Sequence, residues 1–166
     1  MKTDLPEPDF AQRPNHIHWP PILYGVAFLL PFGLQGLIPL PILGLGKIAD
    51  TVMEAVGWAL MATGMTIGYL AIKSFMAVET PFDPTARAEK LVVFGLYNRS
   101  RNPMYLAALI AFFGLALSTG NLWRYAMLPL LFLGLQKLAV QREEAHLAAR
   151  FGADWQLYQA KVKRWW

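Results

Sequence analysis

The sequence contains no cysteine, and it carries little charge for its length. Without cysteine the chain has no disulfide, no thiolate metal site and no cysteine nucleophile. Charged residues make up 16% of the 166 residues, whereas about 25% is typical of soluble domains. The shortage is local, because nearly every charge lies between four long apolar stretches. This pattern argues against a soluble domain and predicts a single membrane domain.

Crossing a bilayer takes about 20 predominantly apolar helical residues, and the four stretches fit that length. The predicted spans are roughly residues 20–45, 54–73, 102–120 and 122–140. The first contains Pro31, Pro39 and Pro41, which should kink it or end it early. A cleaved signal peptide is disfavoured, because this run starts late, is too long and lacks a basic leader. The predicted fold class is therefore an all-α integral membrane protein with about four transmembrane helices.

Three glycines in the second span stand at helical spacing, namely Gly57, Gly64 and Gly68. Small residues at such spacing allow two membrane helices to approach closely. The same glycines also fit a glycine-rich membrane helix with no special contact, and the spacing does not separate the two interpretations.

Basic residues are distributed unevenly between the two sides of the predicted bundle. Thirteen of the fifteen, including Lys2, lie in segments that four spans place on one side, and Lys47 and Arg124 lie on the other. The excess of basic residues in cytoplasmic segments of membrane proteins then predicts that both termini are cytoplasmic, in an inner (cytoplasmic) membrane. The net charge of +4 therefore indicates membrane orientation, and no nucleic-acid partner is expected.

The cytoplasmic side holds most of the polar residues, in a loop at 79–101 and a C-terminal segment at 141–166. The C-terminal segment has an aromatic and apolar stripe at helical spacing: Phe151, Trp155, Tyr158, Val162 and Trp165 or Trp166. This pattern predicts a helix that either lies at the membrane interface or packs over the cytoplasmic mouth of the bundle. Periodicity alone leaves both possibilities open.

Glu143 and Glu144 are adjacent acids just beyond the fourth span. Neighbouring residues on a helix point about 100° apart, so the two carboxylates cannot act as one paired device. We expect one of them to face a site and the other to face solvent or a cation.

Six short motifs recur in a fixed order over residues 79–166. They are Phe82-Asp83-Pro84, Leu91-Val92-Val93-x-Gly95-x-Tyr97, Arg101-Asn102-Pro103-Met104-Tyr105, Glu143-Glu144, Phe151-Gly152-x-x-Trp155-x-x-Tyr158 and Val162-x-Arg164-Trp165. No single motif is specific, but the ordered set resembles the small membrane methyltransferases related to isoprenylcysteine carboxyl methyltransferase and phospholipid N-methyltransferases. The first two spans resemble that family only in being spans.

The resemblance implies S-adenosyl-L-methionine as methyl donor, held at the cytosolic ends of the last helices under the C-terminal segment. It implies Arg101 and Glu144 as catalytic residues. It further implies these cofactor-binding residues: Gly95, Tyr97, Asn102, Pro103, Tyr105 and Glu143. Arg99, like Arg101, is a candidate for the α-carboxylate of the cofactor, because a guanidinium can bind a carboxylate with two hydrogen bonds. Asn102 stands where many relatives have a titrating histidine, so its role would be hydrogen bonding. Ala107 stands where glycine often follows the tyrosine, which should narrow the cofactor pocket.

The expected activity is methyl transfer to a lipid-like substrate that enters from the bilayer, with phosphatidylethanolamine as the preferred acceptor. An amine must lose a proton before it attacks, and Glu144 is the favoured proton acceptor because it shares a helix face with Lys137 through Gln141. Alternatives are a prenylcysteine carboxylate or thiol acceptor, an NADPH-dependent reductase of the sterol-reductase type, and a non-catalytic helical membrane protein. The sterol-type reductase is disfavoured, because its tail usually carries a cysteine.

Overall fold

The computed structural model describes residues 13–83 and 85–166, so Lys2 of the basic count and Pro84 of the first motif lie outside the described residues. The described part of the chain is helical and contains no strand. Its six α-helices are α1 (Trp19–Leu37), α2 (Lys47–Met76), α3 (Pro103–Thr119), α4 (Leu122–Leu135), α5 (Gln141–Phe151) and α6 (Ala153–Lys161). A short 3-10 helix (Gly95–Asn98) precedes α3, and a π-helical turn (Gln136–Val140) joins α4 to α5.

Among the described residues, α1 and α2 are the helices long and apolar enough to cross a membrane. Both present large apolar side chains outward: Leu29, Phe32 and Met65 are each more than half exposed. Contiguous apolar surface of this kind is rare on soluble monomers and marks a surface that meets lipid or a partner. With 17 and 14 residues, α3 and α4 are shorter. The all-helical prediction is confirmed, and two of the four predicted spans have the required length.

The ends of the first two helices differ from the predicted spans. Helix α2 runs from Lys47 to Met76 and is longer than the predicted 54–73 at both ends. The first helix ends at Leu37, well before residue 45, because Pro39 and Pro41 lie in the segment that follows. Pro31 lies inside the helix without ending it. The 38–46 segment instead runs beside the α3–α4 turn, where the Leu43 amide donates to the Gly120 carbonyl at 2.8 Å.

Helices α2 and α3 pack with their backbones in close contact. A Cβ atom built on Gly57 would lie 2.6 Å from the Gly114 carbonyl oxygen, and one built on Gly64 would lie 2.6 Å from the Ala107 carbonyl oxygen. At Gly68 the nearest atom would be 3.7 Å away, an ordinary contact. The glycine spacing therefore reflects a helix contact at Gly57 and Gly64 but not at Gly68.

The π-helical turn changes the rotational setting of the helix that carries the two glutamates. Helical backbone angles continue through Gln136 and Gln141, so α4, the π turn and α5 follow one another without a break. A π turn adds residues relative to the 3.6 of an α-turn and rotates everything beyond it. Lys137 is exposed whereas Glu144 is buried. The helix face that was predicted to carry both residues is therefore exposed at one end and buried at the other.

The C-terminal segment packs over the end of the bundle. Trp155, Tyr158 and Val162 are buried together in one cluster, and the Tyr158 hydroxyl donates to the Tyr97 carbonyl at 2.8 Å. Farther along, the Trp165 ring lies 5.2 Å from the Phe132 ring of α4. Of the two interpretations of the aromatic stripe, the structure therefore supports packing over the mouth of the bundle.

Candidate active site

A cavity opens at the end of the bundle where α3 begins, and we call it the polar cavity. Its empty volume, including the part open to solvent, is about 840 Å³. The loop before α3, the start of α3, α5 and α6 all contribute to its wall. The residues that line it include Asp83, Tyr97, Arg101, Asn102, Met104, Tyr105, Glu143, Glu144, His146, Trp155 and Tyr158.

The turn into α3 is tied to the C-terminal segment by hydrogen bonds. The backbone amide of Arg101 donates to the Lys163 carbonyl at 3.0 Å, and the Asn102 side-chain amide donates to the Arg164 carbonyl at 3.1 Å. Ser100 is fully buried, and its hydroxyl oxygen accepts a hydrogen bond from the backbone amide of Asn102 at 3.1 Å. Pro103 begins α3, where no backbone donor is required. These bonds hold the backbone at Arg101 and Asn102 against the C-terminal segment.

Glu144 is the centre of a three-residue ion-pair network. Its Oε1 atom lies 3.0 Å from an Arg101 guanidinium nitrogen, and its Oε2 atom lies 2.6 Å from an Arg164 nitrogen. The Arg101 and Glu144 side chains are 7% and 10% exposed, whereas that of Arg164 is 34% exposed. The hydrogen bonds that Arg164 donates to Glu144 raise the pKa of Arg164. Both Glu144 oxygens therefore already accept hydrogen bonds from guanidinium groups.

Glu143 has different surroundings, although it is the next residue. Its carboxyl group accepts a short hydrogen bond from the Tyr105 hydroxyl of α3. Burial raises the pKa of Glu143 from its ordinary value of 4.5 to about 7, the nearby charge of Glu144 adds to this, and the bond from Tyr105 opposes it. Glu143 thus occurs in both protonation states near neutral pH. Glu143 therefore points toward Tyr105, whereas Glu144 points toward two arginines. Different directions are expected for neighbouring residues on a helix.

The Arg101 side chain still has an unused donor. Its Nε atom is buried and has no hydrogen-bond partner, whereas a terminal nitrogen reaches the Gln159 carbonyl at 3.3 Å. The guanidinium carbon also lies 5.6 Å from the centre of the Trp155 ring. A buried donor without a partner is costly, so it marks a place where a ligand acceptor fits.

A second concavity adjoins the polar cavity, and we call it the apolar groove. It runs between α1, α2 and α3 and has an empty volume of about 1020 Å³. Apart from the hydroxyl groups of Tyr24 and Tyr105, the side chains of its wall are apolar. The wall consists of Pro20, Pro21, Tyr24, Gly64, Met65, Gly68, Ile72, Phe82, Met104, Tyr105, Ala107, Ala108 and Ala111. Phe82, Met104 and Tyr105 belong to both walls. Ala107 lines this groove and not the polar cavity, and its effect on a cofactor pocket stays a prediction.

The structure gathers six of the nine predicted site residues in the polar cavity wall: Arg101, Glu144, Tyr97, Asn102, Tyr105 and Glu143. Gly95, Arg99 and Pro103 do not line it. Gly95 instead has a positive φ of 63° at the start of the 3-10 helix, which favours glycine there. Arg99 is exposed, and Pro103 is buried in the start of α3. The individual roles of all nine residues stay predictions.

Several cavity residues were not predicted from the sequence. His146 is 2% exposed, and its Nε2 atom accepts from the Ala88 amide at 3.1 Å, while Arg150 donates to the Ala88 carbonyl. These bonds hold the 85–90 loop against α5. Trp155 and Tyr158 were recognised only as part of an apolar stripe. A histidine two residues after the glutamate pair was the available signal for His146.

The segment just before α1, residues 13–18, reaches the same region. His18 lies 3.3 Å from the Asp83 carboxylate and 3.1 Å from the Thr85 hydroxyl, and Pro14 lines the polar cavity. Hydrogen bonds from the Thr85 amide, and more weakly from His18, lower the pKa of Asp83. Pro14 of this segment therefore forms part of the cavity wall.

Fold and site together define a helical membrane protein whose polar cavity meets an apolar groove. Comparison with known proteins agrees: a model of the phospholipid methyltransferase family matches residues 52–154. The chain belongs to this family of membrane methyltransferases that act on lipid. An uncharacterised protein of Haemophilus influenzae is 31% identical over 62 residues, which cover 37% of this chain and 98% of that protein. No solved structure matches the chain.

Proposed function

We propose that this protein transfers a methyl group from S-adenosylmethionine to the amine of a phospholipid such as phosphatidylethanolamine. The observation that carries this proposal is the junction of the polar cavity with the apolar groove at Phe82, Met104 and Tyr105. A water-soluble donor and a lipid acceptor need two chemically different sites that meet at the reacting atoms. Methyl transfer also needs donor and acceptor in line and water excluded.

The residues of the polar cavity fit S-adenosylmethionine, which supplies a methyl group on a positively charged sulfur. The unpaired Arg101 Nε suits the α-carboxylate of the cofactor, because charge-assisted hydrogen bonds to a guanidinium are strong. The rings of Tyr97, Trp155 and Tyr158 offer apolar faces for the adenine. Burial raises the pKa of Tyr97 and Tyr158, so both rings stay neutral at physiological pH.

Electrostatics favour an amine over a carboxylate as the acceptor. Glu143 accepts a hydrogen bond from Tyr105, which lies at the junction, and its carboxylate would attract an arriving ammonium and repel an arriving carboxylate. The arginines that would orient a carboxylate acceptor, Arg101 and Arg164, are already paired with Glu144. A prenylcysteine or thiol acceptor remains the second candidate, since the groove would accept its tail equally well.

The proposed orientation has α1, α2, α3 and the α4 segment crossing an inner membrane, with both termini in the cytoplasm. Thirteen of fifteen basic residues then lie on the cytoplasmic side, together with the polar cavity. The groove opens between α1, α2 and α3, so a phospholipid would enter it sideways from the bilayer with its head group near Tyr105.

The test supplies purified protein and labelled donor with three lipids in parallel: phosphatidylethanolamine, a prenylcysteine analogue and a fatty thiol. We expect label in phosphatidylethanolamine, and we expect S-adenosylhomocysteine to raise the thermal stability by mass action. Arg101→Gln should weaken that stabilisation, whereas Arg87→Gln, an exposed arginine outside the cavity wall, should leave it intact.

Two outcomes would overturn the proposal. Base-labile label in the prenylcysteine analogue alone would show a carboxylate acceptor. Stabilisation by NADPH and not by S-adenosylhomocysteine would show a reductase.

A further inference from the structure

We propose that Glu143, acting through the Tyr105 hydroxyl, takes the proton from the acceptor ammonium, and that Glu144 is a positioning residue that holds Arg101 and Arg164. This inference rests on the proposed amine acceptor. It also reverses the sequence-based preference for Glu144 as the proton acceptor, which stays untested.

Tyr105 lies where the polar cavity meets the apolar groove. Tyr105 lines both the polar cavity and the apolar groove, whereas Glu143 lines the polar cavity alone. A lipid head group that arrives along the groove therefore meets the Tyr105 hydroxyl before it meets any carboxylate. That hydroxyl already donates its hydrogen bond to Glu143. The tyrosine can give its proton to Glu143 as it receives one from the ammonium.

The two carboxylates have different partners. Glu144 forms ion pairs with Arg101 and Arg164, accepts hydrogen bonds from Arg164, and is not part of the groove wall. Glu143 has Tyr105 as its hydrogen-bond partner among the described residues. Glu143 is thus connected through Tyr105 to the place where the acceptor would arrive, whereas Glu144 is connected to Arg101 and Arg164.

The charge around Glu143 affects how tightly its carboxylate holds a proton. The titratable groups that face it are Tyr24 of α1, Tyr97 of the 3-10 helix, Tyr105 of α3 and Glu144 of α5. None of these is a cation, and the nearby guanidinium groups are paired with Glu144. Burial raises the pKa of Glu143 from 4.5 to about 7, so Glu143 holds a proton more tightly than an ordinary glutamate. A free ammonium resembles lysine, near pKa 10, so this rise narrows the gap for proton transfer.

The reaction balances as follows. The ammonium loses one proton to Tyr105, and the Tyr105 proton moves to Glu143. The freed lone pair on nitrogen forms the bond to the methyl carbon, and the carbon–sulfur bond breaks with its electron pair going to sulfur. The products are a neutral thioether and a methylated ammonium. Glu143 then releases its proton to water through the open side of the polar cavity.

The experiment compares Glu143→Gln, Glu144→Gln and Tyr105→Phe in phosphatidylethanolamine nanodiscs from pH 6 to 9, with Glu89→Gln as an exposed control outside the cavity wall. We expect Glu143→Gln to lower kcat at least about 100-fold, the usual contribution of general-base catalysis. The affinity for S-adenosylhomocysteine should change by less than about threefold. The rise of kcat through pH 7 should disappear in Glu143→Gln and persist in Glu144→Gln.

A measurement without turnover completes the test. Infrared difference spectra of the ligand-free protein should show a protonated carboxyl band that grows below pH 7. This band should be missing in Glu143→Gln and present in Glu144→Gln and Glu89→Gln. Wild-type kcat and pH dependence in Glu143→Gln, or a band removed by Glu144→Gln, would overturn the inference even if phosphatidylethanolamine is methylated. If the wild-type protein methylates no amine lipid, the proposed function itself fails.

Discussion

The close contact between α2 and α3 predicts a large difference between two neighbouring Gly→Ala substitutions. In Gly64→Ala the new methyl group would lie 2.6 Å from the Ala107 carbonyl oxygen and 2.8 Å from both the Ala111 Cβ and the Ala111 nitrogen. Two of these three atoms are backbone, so no side-chain rotation can relieve the overlap. Carbon atoms pack at about 3.5 Å or more, so the helices must separate by about 0.7 Å.

The magnitude follows from two opposing effects. Overpacking of a close contact costs about 1–3 kcal/mol, and a rigid backbone contact belongs at the upper end of that range. Replacing glycine by alanine inside a helix returns about 1 kcal/mol through backbone entropy. The expected net loss for Gly64→Ala is therefore about 2 kcal/mol. At this chain length it corresponds to a fall in Tm of roughly 4–8 °C.

Gly68→Ala is the matched control, because it lies one turn away on the same helix and would contact Ala107 Cβ at an ordinary 3.7 Å. It should keep the gain in helix propensity and raise Tm slightly. Thermal unfolding of both variants in the same detergent micelles provides the measurement. If Gly64→Ala unfolds at or above the temperature of Gly68→Ala, the inferred backbone contact between α2 and α3 is wrong.

Two further predictions concern the ion-pair network and the orientation. Glu144→Gln should destabilise the protein by roughly 3 kcal/mol, the lower end for breaking a buried pair, because Arg164 is one-third exposed and partly screened by solvent. Adding Arg101→Gln should cost less than the two single losses together, and an additive result in the thermal double-mutant cycle would contradict the network. Reporter fusions after Trp166 and in the 38–46 segment between α1 and α2 should report a cytoplasmic and an external location respectively. A reporter after Trp166 that is active only outside the cytoplasm would refute the orientation derived from the basic residues.

Composition and spacing were sufficient for the parts of the fold that depend on local chemistry. The charge-poor stretches identified the helices, and Pro39 and Pro41 marked the end of the first one. The glycine spacing was compatible with a close helix contact without establishing one, and the structure shows that contact at Gly57 and Gly64. Tyr105 and Glu143 were assigned to one site from the family resemblance, and the structure places both in the wall of the polar cavity.

Features that depend on long-range geometry could not be predicted. The π turn at 136–140 has no sequence signal, because residues of that segment fit an α-helix equally well, yet it changes the direction in which Glu143 and Glu144 point. Arg164 was present in a recognised motif, but its pairing with Glu144 requires the chain to return from α6 to α5. The apolar groove arises from the mutual placement of three helices and is not encoded in any one of them.

The hydrogen bonds that tie residues 100–102 to Lys163 and Arg164 also have a consequence for biosynthesis. Arg101 is translated more than sixty residues before its partners' carbonyl groups are available, and Glu144 waits twenty residues for Arg164. While residue 164 is still inside the ribosome, α1 to α4 can already pack together, but the polar cavity lacks the wall that α6 provides and Arg101 lacks its bonds to the C-terminal segment. The helical bundle is therefore assembled first, and the polar cavity is completed only after residues 163 and 164 have been synthesised.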